Sequence, residues 1–391
     1  MLERIAGTKV PGDDPLIKQM EQLILKGKRQ EAAELALSHP GFLNVTVKQM
    51  ALKMSTREET TRVDLNDFTA SIIGVTRDDQ DARTLLTGNF FYMGDATKLT
   101  TATPVRSAMV ADLLNSNNHY EDLDRASIDL GKVLKRVEGQ KIYSQASQAA
   151  VANPDPAGVL TSRSFLSSHV IAGTNRRAVE YTFREFMCTT IEEWADAQAP
   201  SGRIGRDIDR NPGGSPAKFE TSCKACHSVM DGFRGAFAFW NFQFDREKGI
   251  AWVSNSIAET SLDPLGYLAS KVVKKLNHNE SVYPGGYVTA DNSWQNNAIN
   301  TANNAKFGWR GTSTAIRSGR GVAGLGAVVA DSRRFSECMV KRVFESTCRP
   351  RVLSFKEQAY FVMDQANQFE SSGYKLRSLF ARVVASKECG Q

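Results

Sequence analysis

The stretch TSCKACHSVMDGF, residues 221–233, restricts this chain more than any other. Two residues separate Cys223 from Cys226, and His227 follows at once. In a C-x-x-C-H run each thiol is spaced to add to one vinyl group of a porphyrin, and the histidine is placed to ligate the iron. With six Cys and five His among 391 residues, chance produces such a run in roughly one chain in a thousand. A structural zinc site needs a second C-x-x-C or a H-x-x-x-H pair, and the sequence has neither. The run therefore predicts one covalent haem c, held by Cys223 and Cys226, with His227 as an axial ligand of the iron.

A chain of this length exceeds a minimal haem domain. Its 41% hydrophobic and 24% charged residues are ordinary for a globular protein. The net charge of +6 is spread along the chain, with no block of five like charges and no arginine stripe with interleaved aromatics. That pattern argues against a nucleic acid partner. No apolar run approaches the 18 residues of a membrane span. The opening MLERIAGTKVPGDDP has no apolar signal segment, yet haem c is attached outside the cytoplasm. The reading that reconciles them is a periplasmic or extracellular protein whose leader or lipid-anchored stretch precedes the given sequence.

The pattern along the chain is mainly helical. DDPLIKQMEQLILKG has an acidic cap, Pro15 in the first turn, a helical apolar stripe and Gly27 as a stop. KRQEAAELALSHPGF, NVTVKQMALKMS, DLNDFTASIIGVT, DARTLLTGNFF and PVRSAMVADLL continue with helical periodicity. Residues 120–143 read as helical or irregular. After a loop at VANPDPAGVLTS, RRAVEYTFREFMCTTIEEW reads as one long amphipathic helix. GAFAFWNFQFD is a short strand or an irregular haem wall, and residues 262–309 are Gly/Asn-rich loops with a few short strands. Three helices follow in the tail. The expected domains are an N-terminal helical unit (1–150), a haem-binding region (151–260), and a loop-rich segment with a C-terminal three-helix unit (261–391). Gly319, Gly321 and Gly324 have dinucleotide-fingerprint spacing, but FGWRGTSTAIRS is not the buried strand that must precede it. These glycines read as a helix approach.

Apart from the haem pair, Cys188, Cys338, Cys348 and Cys389 form an even set compatible with two disulfides in an oxidising compartment. If RRFSECMVKRVFESTC is one helix, Cys338 and Cys348 stand about 15 Å apart along its axis, beyond the reach of about 7 Å that a disulfide allows. Three tail helices running up, down and up bring Cys348 beside Cys389. Cys188 is then left for Cys338.

The order AGVLTSRSFLSSHVIAGTNRRAVEYTFREFMC, a Pro/Gly connection and FETSCKACHSVMDGF resembles the planctomycete-type cytochrome c family. That family joins several cytochrome-associated domains of unknown function in one exported chain. Its G-x-L-T segment matches residues 158–161, and its Thr-Ser-His-like triplet matches Ser168 and His169. Its Leu-Leu-Cys helix end matches Met187 and Cys188. Its Cys-x-x-Cys-His followed by Met-Asp matches residues 223–231. The Phe-x-x-Cys helix of its C-terminal domain matches Phe335 to Cys338, and LFARVVASKEC matches its last helix. The resemblance covers 158–245 well and 321–391 moderately; residues 1–150 share only helical character and LLTGNFFY. Two departures flank the haem run: MDGFRGAFAFWNFQFD where the family has Pro and a short Gly-Phe turn, and TTIEEWADAQAPSG where it has a proline run. The resemblance implies an exported haem protein and no named reaction.

Met230 lies too close to His227 along the chain to reach the opposite side of a porphyrin. The second axial position is left to His169, His119, Met187 or no protein ligand, and His169, in the segment preceding the haem run, is the candidate. His119 and His278 read as exposed loop residues and His39 as a helix end. Phe233, Phe237, Phe239, Trp240, Phe242 and Phe244 are either porphyrin-packing or ordinary core. The sequence contains neither G-x-S-x-G nor H-E-x-x-H. The expected function is electron transfer to a redox partner protein, with Lys218 and Lys224 as a docking rim or a solvated face. The alternatives are a haem peroxidase or oxygenase with an open distal site, and a haem-bearing subunit of a larger assembly or homo-oligomer.

Overall fold

In the computed structural model, which describes residues 1–99, 105–106, 113–259, 271–278, 285–348 and 355–390, the chain is mainly α, about 53% helical. Local signals place its N-terminal helices. Helix α1 (Pro15–Leu25) begins where the Asp14 carboxylate accepts the Leu16 N–H at 2.8 Å, and Pro15 occupies a first-turn position that needs no donor. Gly27 follows at φ +74°, a conformation only glycine adopts without strain. Helices α2 (Arg29–Ala36), α3 (Lys48–Ser55) and α4 (Asp67–Arg77) come next; a π-turn over Phe42–Val47 leads into α3, and Asn66 caps α4. The helix expected across PVRSAMVADLL lies largely outside the described residues.

Among the described residues, four antiparallel two-stranded ribbons punctuate the helices. Strands β1 (Phe90–Gly94) and β2 (Leu134–Glu138) pair Phe90 with Glu138, and β3 (Lys141–Ser144) pairs with β4 (Ala149–Ala152). Strand β1 begins in a stretch read as helical, β2 and most of β3 lie in the stretch read as helical or irregular, and β4 runs into the stretch read as a loop. The pairing that makes NFFYMG a strand lies more than forty residues downstream and leaves no local trace. The hairpin β5 (Trp240–Asp245) and β6 (Ile250–Asn255) realises the alternation in FWNFQFD, and β7 (Ser293–Gln295) pairs with β8 (Ser318–Arg320).

Helix α5 (Arg163–His169) is capped by Ser162. Helix α6 (Arg176–Met187) is shorter than expected, because the chain turns at Cys188 with φ +47° and ψ +51°. Arg334 donates to the Met187 carbonyl at 2.9 Å and the Cys188 carbonyl at 3.3 Å. This satisfies acceptors that a continuing helix would have used. A capping box from Thr190 and Glu193 starts the next short helix, Ile191–Trp194. Helix α7 (Lys224–Arg234) carries the C-x-x-C-H run.

The tail contains α8 (Gly321–Asp331), then the three expected helices α9 (Arg333–Thr347), α10 (Phe355–Ser371) and α11 (Leu376–Ala385). Helix α8 explains the declined glycine motif. Asp155 accepts the N–H groups of Val322 at 2.7 Å and Ala323 at 2.9 Å, so a carboxylate of the chain itself occupies the anion position of that N-terminus. The tail packs on the beginning of the chain: α2 lies against α11, and the Phe42 ring meets Phe380 edge-on at 5.1 Å. Buried apolar side chains from all three expected segments belong to one contiguous cluster.

Both disulfides join the expected partners. Cys188 and Cys338 have Cα atoms 5.1 Å apart, and Cys348 and Cys389 are 4.8 Å apart. The first ties the end of α6 to α9. The second ties the end of α9 to the segment after α11.

Candidate haem site

A π-turn over Phe219–Cys223 runs directly into α7, so Cys223, Cys226 and His227 fall within about one turn. All three are partly exposed, beside the exposed Glu220, Thr221 and Ser222. Cys223 and Cys226 carry free thiols, while the other four cysteines are paired. Burial pushes the Cys226 thiol above its ordinary value, and the charges of Glu192 and Cys223 add to this. A thiol-exchange pair needs the reverse, a stabilised thiolate. Among the described residues no group of three His, Cys, Asp or Glu is placed to hold a bare metal ion. Two free thiols and an imidazole on one open helix edge form the donor set that haem c requires.

One turn beyond His227 lies Asp231, whose Oδ1 is 3.4 Å from His227 Nδ1. Asp231 is buried at the centre of a charged network. Arg176, at the start of α6, donates from Nη2 to Asp231 Oδ2 at 2.7 Å and to Asp207 Oδ1 at 2.9 Å. Arg234 donates to Asp207 at 3.0 Å, and the Gly205 N–H donates to Asp231 at 2.9 Å. Burial by itself would raise the Asp231 carboxyl, but the Arg176 hydrogen bond, the charges of Arg234 and Arg176, and His227 outweigh it. They hold Asp231 far below the carboxylate range. Asp207 is lowered in the same way against its own burial, by Arg176 and Arg234. A Cβ at Gly205 would lie 2.3 Å from the Arg234 guanidinium, so a larger residue there would displace a member of the network.

The structure does not bring His169 to His227. His169 is fully buried at the end of α5, stacked on Tyr181 at 4.2 Å and edge-on to Phe165 at 4.6 Å. Tyr181 and Phe183 project about 200° apart around α6, and Phe183 packs on Phe233 of α7 at 5.2 Å. Helix α6 therefore stands between His169 and α7. Burial, with the charges of Arg177 and Arg57, pushes the His169 imidazole down to about 3. A depressed folded value means stability that is full above the unfolded value of 6.5 and lost as pH falls toward 3. Unfolding titrations should show stability declining across that window by up to about 1.4 kcal/mol per pH unit from this group. His169→Phe should flatten the decline; an unchanged slope would contradict the burial argument.

Other candidates are placed as follows. His119 is buried in a short helix, Asn118–Arg125, where Nε2 accepts the Gly94 N–H at 2.9 Å, so the expectation of an exposed loop histidine is corrected. Its neighbour Tyr120 and strand β1 cover it, contacts absent from the polar run NSNNHY. Met187 is fully buried. His278 is exposed, and His39 accepts the Gly41 N–H at 3.0 Å at a helix end. Phe233, Phe237 and Trp240 are fully buried in the core; Trp240 donates to Asp155 at 3.3 Å. Phe244 is exposed. Lys218 is exposed, whereas Lys224 is paired with Glu220 at 2.7 Å. Sequence reasoning missed Arg176 and Asp207, and noted Asp231 only as a companion of the haem run. Their roles depend on segments 26 to 55 residues away.

The chain matches no family model, no curated protein and no solved structure.

Proposed function

We propose that this protein is an exported single-haem c-type cytochrome that transfers electrons, related to the planctomycete-type cytochromes c. The observation that carries the reading is the pair of free, half-exposed thiols of Cys223 and Cys226 with His227 beside them, in a chain whose other cysteines are paired. Bound haem supplies a one-electron iron couple. Cys223 and Cys226 hold it by thioether bonds, His227 ligates the iron, and the partly exposed edge of α7 gives a redox partner access. Two disulfides favour an oxidising compartment, and no described helix is long and apolar enough to cross a membrane.

An absorption spectrum with and without reductant tests this. A sharpening of the haem bands on reduction is expected, and a protein without a haem spectrum would contradict it. A second reading, a haem enzyme with an open distal site, is favoured by the position of His169 behind α6. His169→Ala should then leave the iron spin state unchanged; a low-spin to high-spin conversion would return His169 to the coordination sphere. Cyanide binding by the unaltered protein separates the readings, since an open site binds it and a six-coordinate carrier resists it.

A further inference from the structure

We infer that Asp231 is a positioning residue for the haem iron: its carboxylate accepts the Nδ1–H of His227, fixes the ring in one tautomer and orientation, and leaves Nε2 as the iron-binding nitrogen. This rests on the haem reading above. The two residues are one helical turn apart on α7, with Nδ1 3.4 Å from Oδ1, at the long end of hydrogen-bond reach. Chemistry assigns the direction of the bond. Asp231 already accepts from Arg176 and from the Gly205 N–H, and a carboxylate with those donors is acceptor-only. His227 must therefore carry its proton on Nδ1, and the lone pair is on Nε2. The orientation is rigid because Asp231 has no freedom of its own. Its side chain is fully buried, Arg176 clamps it from α6, Asp207 holds Arg176, and Arg234 holds Asp207. A carboxylate behind a metal-bound histidine makes the ring a stronger donor. A stronger donor stabilises ferric iron more than ferrous iron, so Asp231 holds the reduction potential down.

The test is potentiometry on haem-loaded protein, preceded by a haem stain. Asp231→Asn replaces the charged acceptor with a neutral one. It should raise the potential enough to shift the ferrous-to-ferric ratio about tenfold at the wild-type midpoint, equivalent to about 59 mV for one electron. Asp207→Asn removes a charge from the same network without touching His227, and should move the potential less than half as far. Equal shifts in the two variants would assign the effect to the field of the network and overturn the inference, as would an unmoved potential in Asp231→Asn. If Asp231→Asn does not fold or load haem, the wild type decides. With 15N-labelled histidine in a diamagnetic ferrous state, the His227 Nδ1–H should be visible and slow to exchange with water. A rapidly exchanging or absent proton would overturn the inference. A wild type that takes no haem stain would instead overturn the functional reading on which all this rests.

Discussion

Replacing Cys188 and Cys338 together with alanine should lower the unfolding free energy by about 5 kcal/mol. The bridge closes a loop of 150 residues, and in the chain-entropy account a crosslink stabilises by restricting the unfolded chain, more so for longer loops. It also joins two elements that otherwise meet only through side chains. The end of α6 is held against α9 by this bond, by Arg334 on the Met187 and Cys188 carbonyls, and by Arg342 on Glu185 at 2.7 Å. Glu185 is buried, and its carboxyl is pushed up to about 8 by that burial, with Arg342 opposing. The Cys348–Cys389 bridge closes only 41 residues, and its removal should cost about 1 kcal/mol less in the same account. Denaturant titration of the two double variants measures both. The reverse order, or no loss from Cys188/Cys338, would contradict the account.

Arg176→Met should cost about 3–5 kcal/mol, because it takes from buried Asp231 its ion-pair partner on α6 and leaves two buried carboxylates with Arg234 as their remaining arginine in a low dielectric. Arg176 is the shared partner of two carboxylates, Asp231 and Asp207, which are almost inaccessible to water. The pH dependence gives a second signature. In the wild type Asp207 is depressed below its unfolded value of 3.8, so its contribution is full above pH 3.8 and disappears only as pH falls through the lower folded value. Without Arg176 the fully buried Asp231 loses its hydrogen-bonded arginine, and the burial that raises its carboxyl is opposed much less. The variant is then penalised at neutral pH and relieved as the carboxylates protonate. The stability gap between variant and wild type should therefore narrow on acidification toward pH 4. A gap constant with pH would show that Arg176 acts through packing alone.

The parts of this protein that were legible in its sequence are those encoded within one or two helical turns. The Asp14–Pro15 cap, the Gly27 stop, the three tail helices and the Cys-x-x-Cys-His spacing all depend on neighbours a few residues away. The disulfide pairing was legible because one helix length excluded Cys338–Cys348, and the up-down-up order of the tail then left a single arrangement. Strands β1 and β2 were not, since FFYMG is extended only because residues 134–138 pair with it. The break at Cys188 was hidden for the same reason: Arg334 and Cys338, which support the turn, lie about 150 residues downstream. At the candidate site, the Cys-x-x-Cys-His residues were readable as a motif and their support was not. Asp231 stood in plain view after Met230, but its meaning depends on Arg176, Gly205 and Asp207, none of them marked by local spacing. The placement of His169 was not legible either, because an isolated histidine carries no sign of which side of the next helix it will face.

The central claim is that Cys223 and Cys226 hold one haem covalently, and a haem-stained denaturing gel tests it most directly. The full chain would be produced with an export signal in cells that carry haem c attachment machinery, alongside a known haem c protein as control. The wild type should stain at the mass of the full chain, and the Cys223→Ala/Cys226→Ala variant should give a protein band of equal mass without stain. A colourless wild-type band beside a stained control would contradict the account.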